Sequence, residues 1–273
     1  VAPPSLTFTA ANWSTPQTVT LTGADDALVD GAVAYTIVTG AATSTDPGYS
    51  GRNPTDISAT NLDDDVADVL VNPTAGLVTT EAGATQTFTI VLRSQPTADV
   101  VIGVSSSDLA EGTVAPAMLT FSAIDWNIPQ VVTVTGADDA IQDGNVPYLV
   151  ATFPATSGDP NYSGLNAADV GLINVDNDVA GITVSPTVGL GTTEAGGTAT
   201  FTVVLDSQPT ADVTIPLSSS DLSEGTVSPA TLVFRATNWN TPQIVTVTGV
   251  DDPIVDGSIA YAIVTHAVLS SDP

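Results

Sequence analysis

The stretch Val-Thr-Val-Thr-Gly-Ala-Asp-Asp at residues 132–139 occurs three times in this chain, because residues 19–26 (Val-Thr-Leu-Thr-Gly-Ala-Asp-Asp) and 245–252 (Val-Thr-Val-Thr-Gly-Val-Asp-Asp) repeat it. Each copy alternates apolar residues with threonine, which is the pattern of a half-buried β-strand, and ends in a glycine and an acidic pair. The copies are 113 residues apart (132 − 19 and 245 − 132). A spacing kept without insertion or deletion predicts tandem copies of one domain.

The phase of the repeat divides the chain into three segments. Residues 68–180 make one complete β-sandwich module. Residues 1–67 match 114–180 and are predicted to be the C-terminal part of a module. Residues 181–273 match 68–160 and are predicted to be a module that lacks its last strand. We therefore expect both ends to cut through modules, as in a stretch of a longer array.

Period-2 alternation predicts seven short strands, A to G, in the complete module. They are expected at residues 69–71, 86–92, 99–104, 118–121, 130–135, 147–152 and 169–175. Seven short strands at this spacing, without a helical 3.6-residue pattern, are typical of an antiparallel β-sandwich. The predicted fold class is all-β, with tandem sandwiches.

The charge balance excludes several partners. The chain has 30 Asp and Glu against 3 Lys and Arg, for a net charge of −27, and no cysteine. A surface this acidic excludes nucleic acid and an anionic membrane surface, and it favours cations. No apolar run reaches the 18 residues that a membrane span needs, so no membrane insertion is expected in this segment. Extracellular modules without disulfides use another staple, and calcium is a common one.

Strand order predicts where the acidic residues meet. If strands alternate in direction, the A–B, C–D and E–F loops and the end of strand G all lie at one pole of the sandwich. The acidic residues of the complete module fall in these four places: Glu81, Asp108, Glu111, Asp138, Asp139, Asp143, Asp176 and Asp178. Periodicity adds Asp25, Asp26, Asp30, Asp63, Asp64, Asp65, Glu194, Asp221, Glu224, Asp251, Asp252 and Asp256. The sequence thus predicts a carboxylate cluster at each module junction.

Calcium suits such a cluster, because it takes 6–8 oxygen ligands in flexible geometry, whereas magnesium demands a stricter site. Zinc and copper favour His or Cys, and the chain has one histidine, His266, and no cysteine. The competing interpretation is that these are ordinary turn residues. Asp64 becomes Asn177 in the next copy, so that position does not require a charge.

These residues resemble the Calx-beta domain, an immunoglobulin-like sandwich of sodium–calcium exchangers and large bacterial surface proteins. The matching elements are Thr-Glu-Ala-Gly at 80–83, Leu-Thr-Phe at 119–121, the run at 132–139, and Asn-Leu-Asp-Asp-Asp at 61–65. The resemblance implies calcium ligands at Glu81, Asp108 or Glu111, Asp138, Asp139, Asp176 and Asp178. Two departures, Asn177 in the terminal triplet and the sequence at 105–112, leave the number of ions and the C–D ligand open.

The favoured function is structural: an extracellular or cell-surface stalk or filament of a large bacterial surface protein, with calcium rigidifying its junctions. Its partners would be neighbouring modules of the same chain and copies of the chain in a filament. The alternative is a module whose exposed loops, such as residues 157–168, bind a glycan or protein. No enzyme is expected, because the other copies lack His266. A further possibility is that the acidity serves solubility at high salt.

Overall fold

The computed structural model describes residues 1–255 and 257–272, and every regular element in them is a β-strand. The strands in chain order are β1 (Val33–Ile37), β2 (Ile57–Asn61), β3 (Val69–Asn72), β4 (Leu77–Thr80), β5 (Thr85–Leu92), β6 (Val100–Ser106), β7 (Gly112–Ala115), β8 (Met118–Phe121), β9 (Gln130–Gly136), β10 (Val146–Thr152), β11 (Thr156–Ser157), β12 (Val170–Val175), β13 (Ile182–Ser185), β14 (Thr198–Leu205), β15 (Val213–Ser219), β16 (Gly225–Ser228), β17 (Thr231–Phe234), β18 (Gln243–Gly249) and β19 (Ile263–Thr265). In these two ranges there is no helix that could cross a membrane.

The middle segment forms two sheets. One sheet has the order β3-β5-β9-β7, and the other has the order β11-β6-β10-β12-β4, with β8 also paired to β6. All of these pairs are antiparallel except β12 with β4, which is parallel. The all-β class and the antiparallel sheets predicted from the sequence are confirmed.

The structure corrects the strand prediction in two places. Residues 77–80, taken as part of the A–B loop, form β4, so the first strand is split between the two sheets. Residues 112–115, taken as part of the C–D loop, form β7 on the edge of the β9 sheet. Neither strand shows apolar alternation, because a buried position is occupied by Thr79 in β4 and by Gly112 in β7.

The core of the middle segment lies between the two sheets. On β9, Val132 and Val134 are buried while Thr133 and Thr135 are half-buried, as the alternation predicts. They pack in one cluster with Phe88 of β5, Ile102 of β6 and Val150 of β10. A second cluster, around Phe201 and Val245, forms between the sheets of residues 182–265.

The two outer segments show parts of the same arrangement. Strands β13 to β18 lie 113 residues after β3 and β5 to β9, as the starts of β14 (198 − 85) and β18 (243 − 130) illustrate. They form a four-stranded sheet, β13-β14-β18-β16, and a three-stranded sheet, β17-β15-β19. In residues 1–67 the sheet structure is a two-stranded ribbon of β1 and β2. These strands correspond to β10 and β12 of the middle segment.

Candidate metal centre

Backbone hydrogen bonds draw four segments of the middle module together at one end of the sandwich. The Glu81 N–H, just after β4, donates to the Val175 carbonyl at the end of β12 (3.1 Å). The Ala137 N–H, after β9, donates to the Glu111 carbonyl before β7 (3.0 Å). The Gly136 N–H donates to the Ala84 carbonyl (3.1 Å) and joins the two pairs, so the acidic residues of all four segments lie at the same end.

Glu81, Asp176 and Asp178 form what we call the strand-end cluster, in which one carboxylate oxygen from each lies within 4.8 Å of the others. Glu81 is only 4% exposed, and its Oε2 accepts a hydrogen bond from the Asn177 N–H (2.9 Å). Asp176 accepts from the N–H groups of Gly144 (2.8 Å) and Asp178 (2.7 Å). Backbone donors therefore hold two of the three carboxylates in place.

Asp178 is the one member of the strand-end cluster with a buried side-chain oxygen that lacks a hydrogen-bond partner. This oxygen is Oδ2, and a buried acceptor left unpaired costs about 1–3 kcal/mol. Burial, followed by the charge of Asp176, raises the pKa of Asp178. Burial likewise raises the pKa of Glu81, and Asp176, Asp139 and Asp178 add to the effect. A bound cation would both pair with this oxygen and offset the repulsion.

A second group, the loop cluster, consists of Glu111, Asp139 and Asp143, whose carboxylate oxygens also lie within 4.8 Å of one another. Glu111 is buried, and Asp139 Oδ1 accepts from the Ile141 N–H (2.7 Å). Burial raises the pKa of Glu111, with further contributions from Asp143 and Asp108. Burial and the charge of Asp139 raise the pKa of Asp143.

A buried polar frame supports both clusters, and sequence reasoning missed it. Thr79 Oγ1 donates to Asn174 Oδ1 (2.9 Å) and lies 3.0 Å from the Tyr148 hydroxyl. The Asn174 amide donates to the Ala137 carbonyl (2.9 Å), directly before the acidic pair. The frame thus joins β4, β10, β12 and the loop after β9. Its signal in the sequence is that Asn61 and Asn174 occupy the same position of the repeat.

Two predicted ligands of the middle module lie outside these groups. Asp108 is exposed, and its Oδ1 accepts from the Ala110 N–H (3.0 Å), as in an ordinary turn. Asp138 Oδ1 accepts from the Asn177 side-chain amide (3.3 Å). Asn177 therefore bridges the strand-end cluster and the acidic pair through its own donors.

In the first segment, Asp25, Asp64 and Asp65 come within the same 4.8 Å spacing. Asp63 accepts from the N–H groups of Gly31 (2.7 Å) and Asp65 (2.9 Å), which repeats the bonds of Asp176. These N–H groups, that of Asp65 first, lower the pKa of Asp63. Burial, then the charges of Asp63 and Asp64, raises the pKa of Asp65. A cavity of about 350 Å³ here is also lined by Asp26 and Asp30.

The third segment brings no three of its predicted ligands to this spacing within residues 181–255 and 257–272. Glu194 and Asp251 are exposed. Asp221 accepts from the Ser223 N–H (3.0 Å) and Asp252 from the Ile254 N–H (2.8 Å), each within its own turn. The Glu224 carbonyl accepts from the Val250 N–H (3.0 Å). The last predicted ligand, Asp256, lies outside the described residues.

Consecutive segments meet through one repeated backbone contact. The Gln95 N–H donates to the Ala27 carbonyl (2.7 Å), and the Gln208 N–H donates to the Ala140 carbonyl (2.6 Å). Each of these alanines directly follows an acidic pair, and each glutamine precedes a proline in a turn of the following segment. The acidic loop of one segment is therefore in contact with the next.

The ligand types in the two clusters fit a hard cation. All six side chains are carboxylates, and one of them, Asp178, has a buried oxygen without a hydrogen-bond partner. Calcium accepts such oxygens together with carbonyls and water, whereas zinc and copper favour nitrogen or sulfur ligands.

No protein-family model matches the chain, and no curated protein matches it. Among solved structures, the chain is similar to the CBD12 domains of CALX1.2, with 14% identity over 73% of this chain and 80% of that one, and a TM-score of 0.33. The calcium-binding domain CBD12 of CALX1.1 is 14% identical over 74% of this chain and 80% of that one, with a TM-score of 0.34. The apo-form Calx CBD1 domain is 11% identical over 42% of this chain and 100% of that one, with a TM-score of 0.32. Calx-beta domains, the family that the sequence resembles, are thus among the matches, and at these scores they indicate no ligand for this chain.

Proposed function

We propose that this chain is a calcium-binding β-sandwich array whose cations lie at the module junctions and hold consecutive modules in line. The observation that carries the proposal is the buried, unpaired Oδ2 of Asp178 beside Glu81 and Asp176. Burial is the first cause of the raised pKa values of Glu81 and Asp178, and the neighbouring carboxylates add to it; a bound cation would offset both effects.

The junction contacts connect cation binding to the array. Asp139 of the loop cluster directly precedes Ala140, whose carbonyl bonds the next segment. A cation that fixes the loop after β9 therefore also fixes the surface on which the following segment rests. A junction fixed in this way suits a mechanical role, as a stalk or filament segment without catalytic activity. We place this role at a cell surface, where calcium is millimolar.

Thermal unfolding with calcium and with a chelator tests the proposal. A cation that binds only the folded state at 100 times its Kd adds about 2.7 kcal/mol of stability. Calcium at 10 mM, against EDTA, should therefore raise the melting temperature clearly, as expected for a site with Kd of about 10⁻⁴ M. An equal melting temperature in the two buffers contradicts a calcium site.

Variants locate the effect. Asp178→Asn should remove most of the rise in melting temperature that calcium causes, because it removes the negative charge of the carboxylate that contains the buried oxygen. Asp99→Asn, an exposed carboxylate at the start of β6 and away from both clusters, should keep the response and serves as the matched control. If potassium chloride at molar concentration replaces calcium fully in the native chain, the acidity serves solubility at high salt instead.

The alternative, a glycan- or protein-binding module, would use loops such as residues 157–168. Part of this loop is engaged internally, because Tyr162 is fully buried and its hydroxyl donates to the Ser94 carbonyl (2.7 Å). Retention of the chain on glycan or cell-surface ligands, lost on substitution of the exposed residues of this loop, would favour the alternative.

A further inference from the structure

One hydrogen bond of the buried polar frame joins the two acidic clusters of the middle module over a very short path. The Asn174 side-chain amide donates to the Ala137 carbonyl (2.9 Å). Asn174 lies two residues before Asp176 of the strand-end cluster, and Ala137 lies two residues before Asp139 of the loop cluster. Because consecutive Cα atoms are a fixed distance apart, a shift of one segment is passed to the other with little slack.

Asn174 is held on both sides of its amide. Its side chain is 1% exposed, and its Oδ1 accepts a hydrogen bond from Thr79 Oγ1 (2.9 Å). A Cβ on Gly136 would come within 2.7 Å of the same oxygen, so the loop after β9 packs directly against the amide. A buried amide whose partners moved away would leave polar atoms unpaired, which is unfavourable. Asn174 therefore keeps β4, the end of β12 and the loop after β9 in one arrangement.

The amide also acts on the loop cluster itself. Burial raises the pKa of Glu111, and a hydrogen bond with the Asn174 side chain opposes this effect. A Cβ on Gly112, the residue after Glu111, would collide with the Tyr148 hydroxyl of the same frame. The frame thus reaches both segments that carry the loop cluster.

Parts of the frame recur in the outer segments. The Asn61 amide donates to the Ala24 carbonyl (2.7 Å), which repeats the bond from Asn174 to Ala137. Thr192 Oγ1 lies 2.7 Å from the Tyr261 hydroxyl, as Thr79 lies beside Tyr148. The tyrosine position is filled in all three copies, by Tyr35, Tyr148 and Tyr261. The frame is therefore a feature of the repeat.

We propose that Asn174 is the positioning residue that couples the two acidic clusters, so that a cation bound at either cluster strengthens binding at the other. Coupling of this kind requires an element that both ligands bias, and here it is the end of β12 together with the loop after β9. A cation at the strand-end cluster would fix Asp176, hence Asn174, the Ala137 carbonyl and Asp139. The inference rests on the proposed function, because it assumes cations at both clusters.

Two other routes join the clusters and must be separated from this one. The Asn177 side chain donates to Asp138 Oδ1, but Asn177 is exposed and the bond is 3.3 Å long. Charge is the other route, because burial first, and then the charges of Asp176 and Asp139, raise the pKa of Glu81. Asn174 is buried and uncharged, so replacing it removes the frame and leaves every carboxylate in place.

Calcium titration of the 15N-labelled 273-residue chain, followed by NMR, reports on each cluster separately. The Asn177 N–H donates to Glu81 Oε2 and reports on the strand-end cluster, whereas the Ile141 N–H donates to Asp139 Oδ1 and reports on the loop cluster. Asp178→Asn weakens only the strand-end cluster directly. It should nevertheless raise the calcium concentration at the midpoint of the Ile141 shift by at least about fivefold, the lower end of typical coupling between sites.

The same comparison in an Asn174→Leu background tests the assigned residue. The Ile141 midpoint should then no longer move with Asp178→Asn, because both hydrogen bonds of the amide are gone. Tyr148→Phe removes one hydroxyl from the frame, should reduce the movement, and serves if Asn174→Leu does not fold. Thr152→Val is the matched control: Thr152 is buried in β10 and its Oγ1 donates to the Ala167 carbonyl (2.8 Å), so this variant should keep the full movement.

The outcomes separate this inference from the proposed function. Calcium that shifts neither reporter N–H contradicts both. Calcium that shifts only one of them, or an Ile141 midpoint that ignores Asp178→Asn in the native background, leaves a calcium site standing and overturns the coupling. A movement that persists in both Asn174→Leu and Tyr148→Phe is carried by charge, and one that is lost only in Asn177→Ala is carried by the exposed bridge. Either result overturns the assignment to Asn174.

Discussion

The middle and third segments place the same residue types at the same repeat positions, yet they bury them differently. Glu81 is 4% exposed and belongs to the strand-end cluster, whereas Glu194 is exposed and joins no such group in the described residues. The difference follows from β12, which closes the sheet beside β4 and brings Asp176 and Asp178 to Glu81. A repeated sequence therefore repeats the local structure, but the acidic site forms only where a distant strand completes it.

The local structure of the two segments is closely similar. Gly83 and Gly196 both have a positive φ of 80° in the turn after the glutamate, which favours glycine. A Cβ on Gly136 would collide with the Thr80 carbonyl, and one on Gly249 with the Thr193 carbonyl. In the middle and third segments, the glycine two residues before the acidic pair is thus required by close packing of two backbones, with or without strand β12.

The largest expected difference between the two segments is in the stability lost when the equivalent leucines, Leu77 and Leu190, are replaced by alanine. Leu77→Ala should destabilise the middle module by about 2–5 kcal/mol, because it leaves a cavity between β4 and the core. Leu190→Ala should cost less than about 1 kcal/mol, because this side chain is already 41% exposed. Chemical denaturation of both variants, in EDTA and at a concentration that keeps the chain monomeric, checks the prediction. Equal losses would mean that the two segments are equally well packed.

A smaller difference, in melting temperature, is expected when Glu81 and Glu194 are each replaced by glutamine in metal-free protein. Burial raises the pKa of Glu81 in the fold, so its ionisation costs stability as pH rises from about 4.3, the ordinary glutamate value, through the raised value. At pH 7 in EDTA, Glu81→Gln should therefore raise the melting temperature, because it removes the negative charge that burial and the neighbouring carboxylates disfavour. Below about pH 4, where the glutamate is protonated in both states, the advantage should vanish.

Glu194→Gln is the control for this comparison, and it should change the melting temperature little at either pH, because Glu194 is exposed. With 10 mM calcium, the Glu81→Gln variant should melt at a lower temperature than the native chain, since the substitution then removes a calcium ligand. A variant at Glu81 that is less stable than the native chain at pH 7 in EDTA would argue against repulsion in the metal-free cluster.

The smallest effect on stability is expected at the junctions. Gln95→Pro removes the N–H that donates to the Ala27 carbonyl, and one such hydrogen bond contributes about 0.5–1.5 kcal/mol net. The main result should be a more variable angle between the first and middle segments, seen as a broader distance distribution in small-angle X-ray scattering. Gln95→Ala keeps the N–H and should preserve the native scattering. If Gln95→Ala broadens the distribution as much as Gln95→Pro does, the side chain and not the backbone bond holds the junction; if neither variant broadens it, the bond to Ala27 does not set the angle.

Much of the fold was predictable from alternation. The strands expected at residues 86–92, 118–121, 130–135 and 147–152 lie within one or two residues of β5, β8, β9 and β10. These strands have one face in the core, so their apolar residues recur with period two. The sequence does not predict β4 and β7, because Thr79 and Gly112 occupy buried positions in them and apolar residues therefore do not alternate. The parallel pairing of β4 with β12 was also beyond prediction, since it depends on residues almost a hundred positions apart.

The sequence by itself determined the repeat, the all-β class and the residue types that gather at one pole, because these follow from periodicity and strand direction. Only the tertiary structure decided which carboxylates become neighbours. It grouped Glu81 with Asp176 and Asp178, and Glu111 with Asp139 and Asp143, and it left Asp108 exposed in its own turn. The physical reason is that burial and mutual distance arise from sheet closure, which depends on where β12 lies and not on the amino acids near each carboxylate.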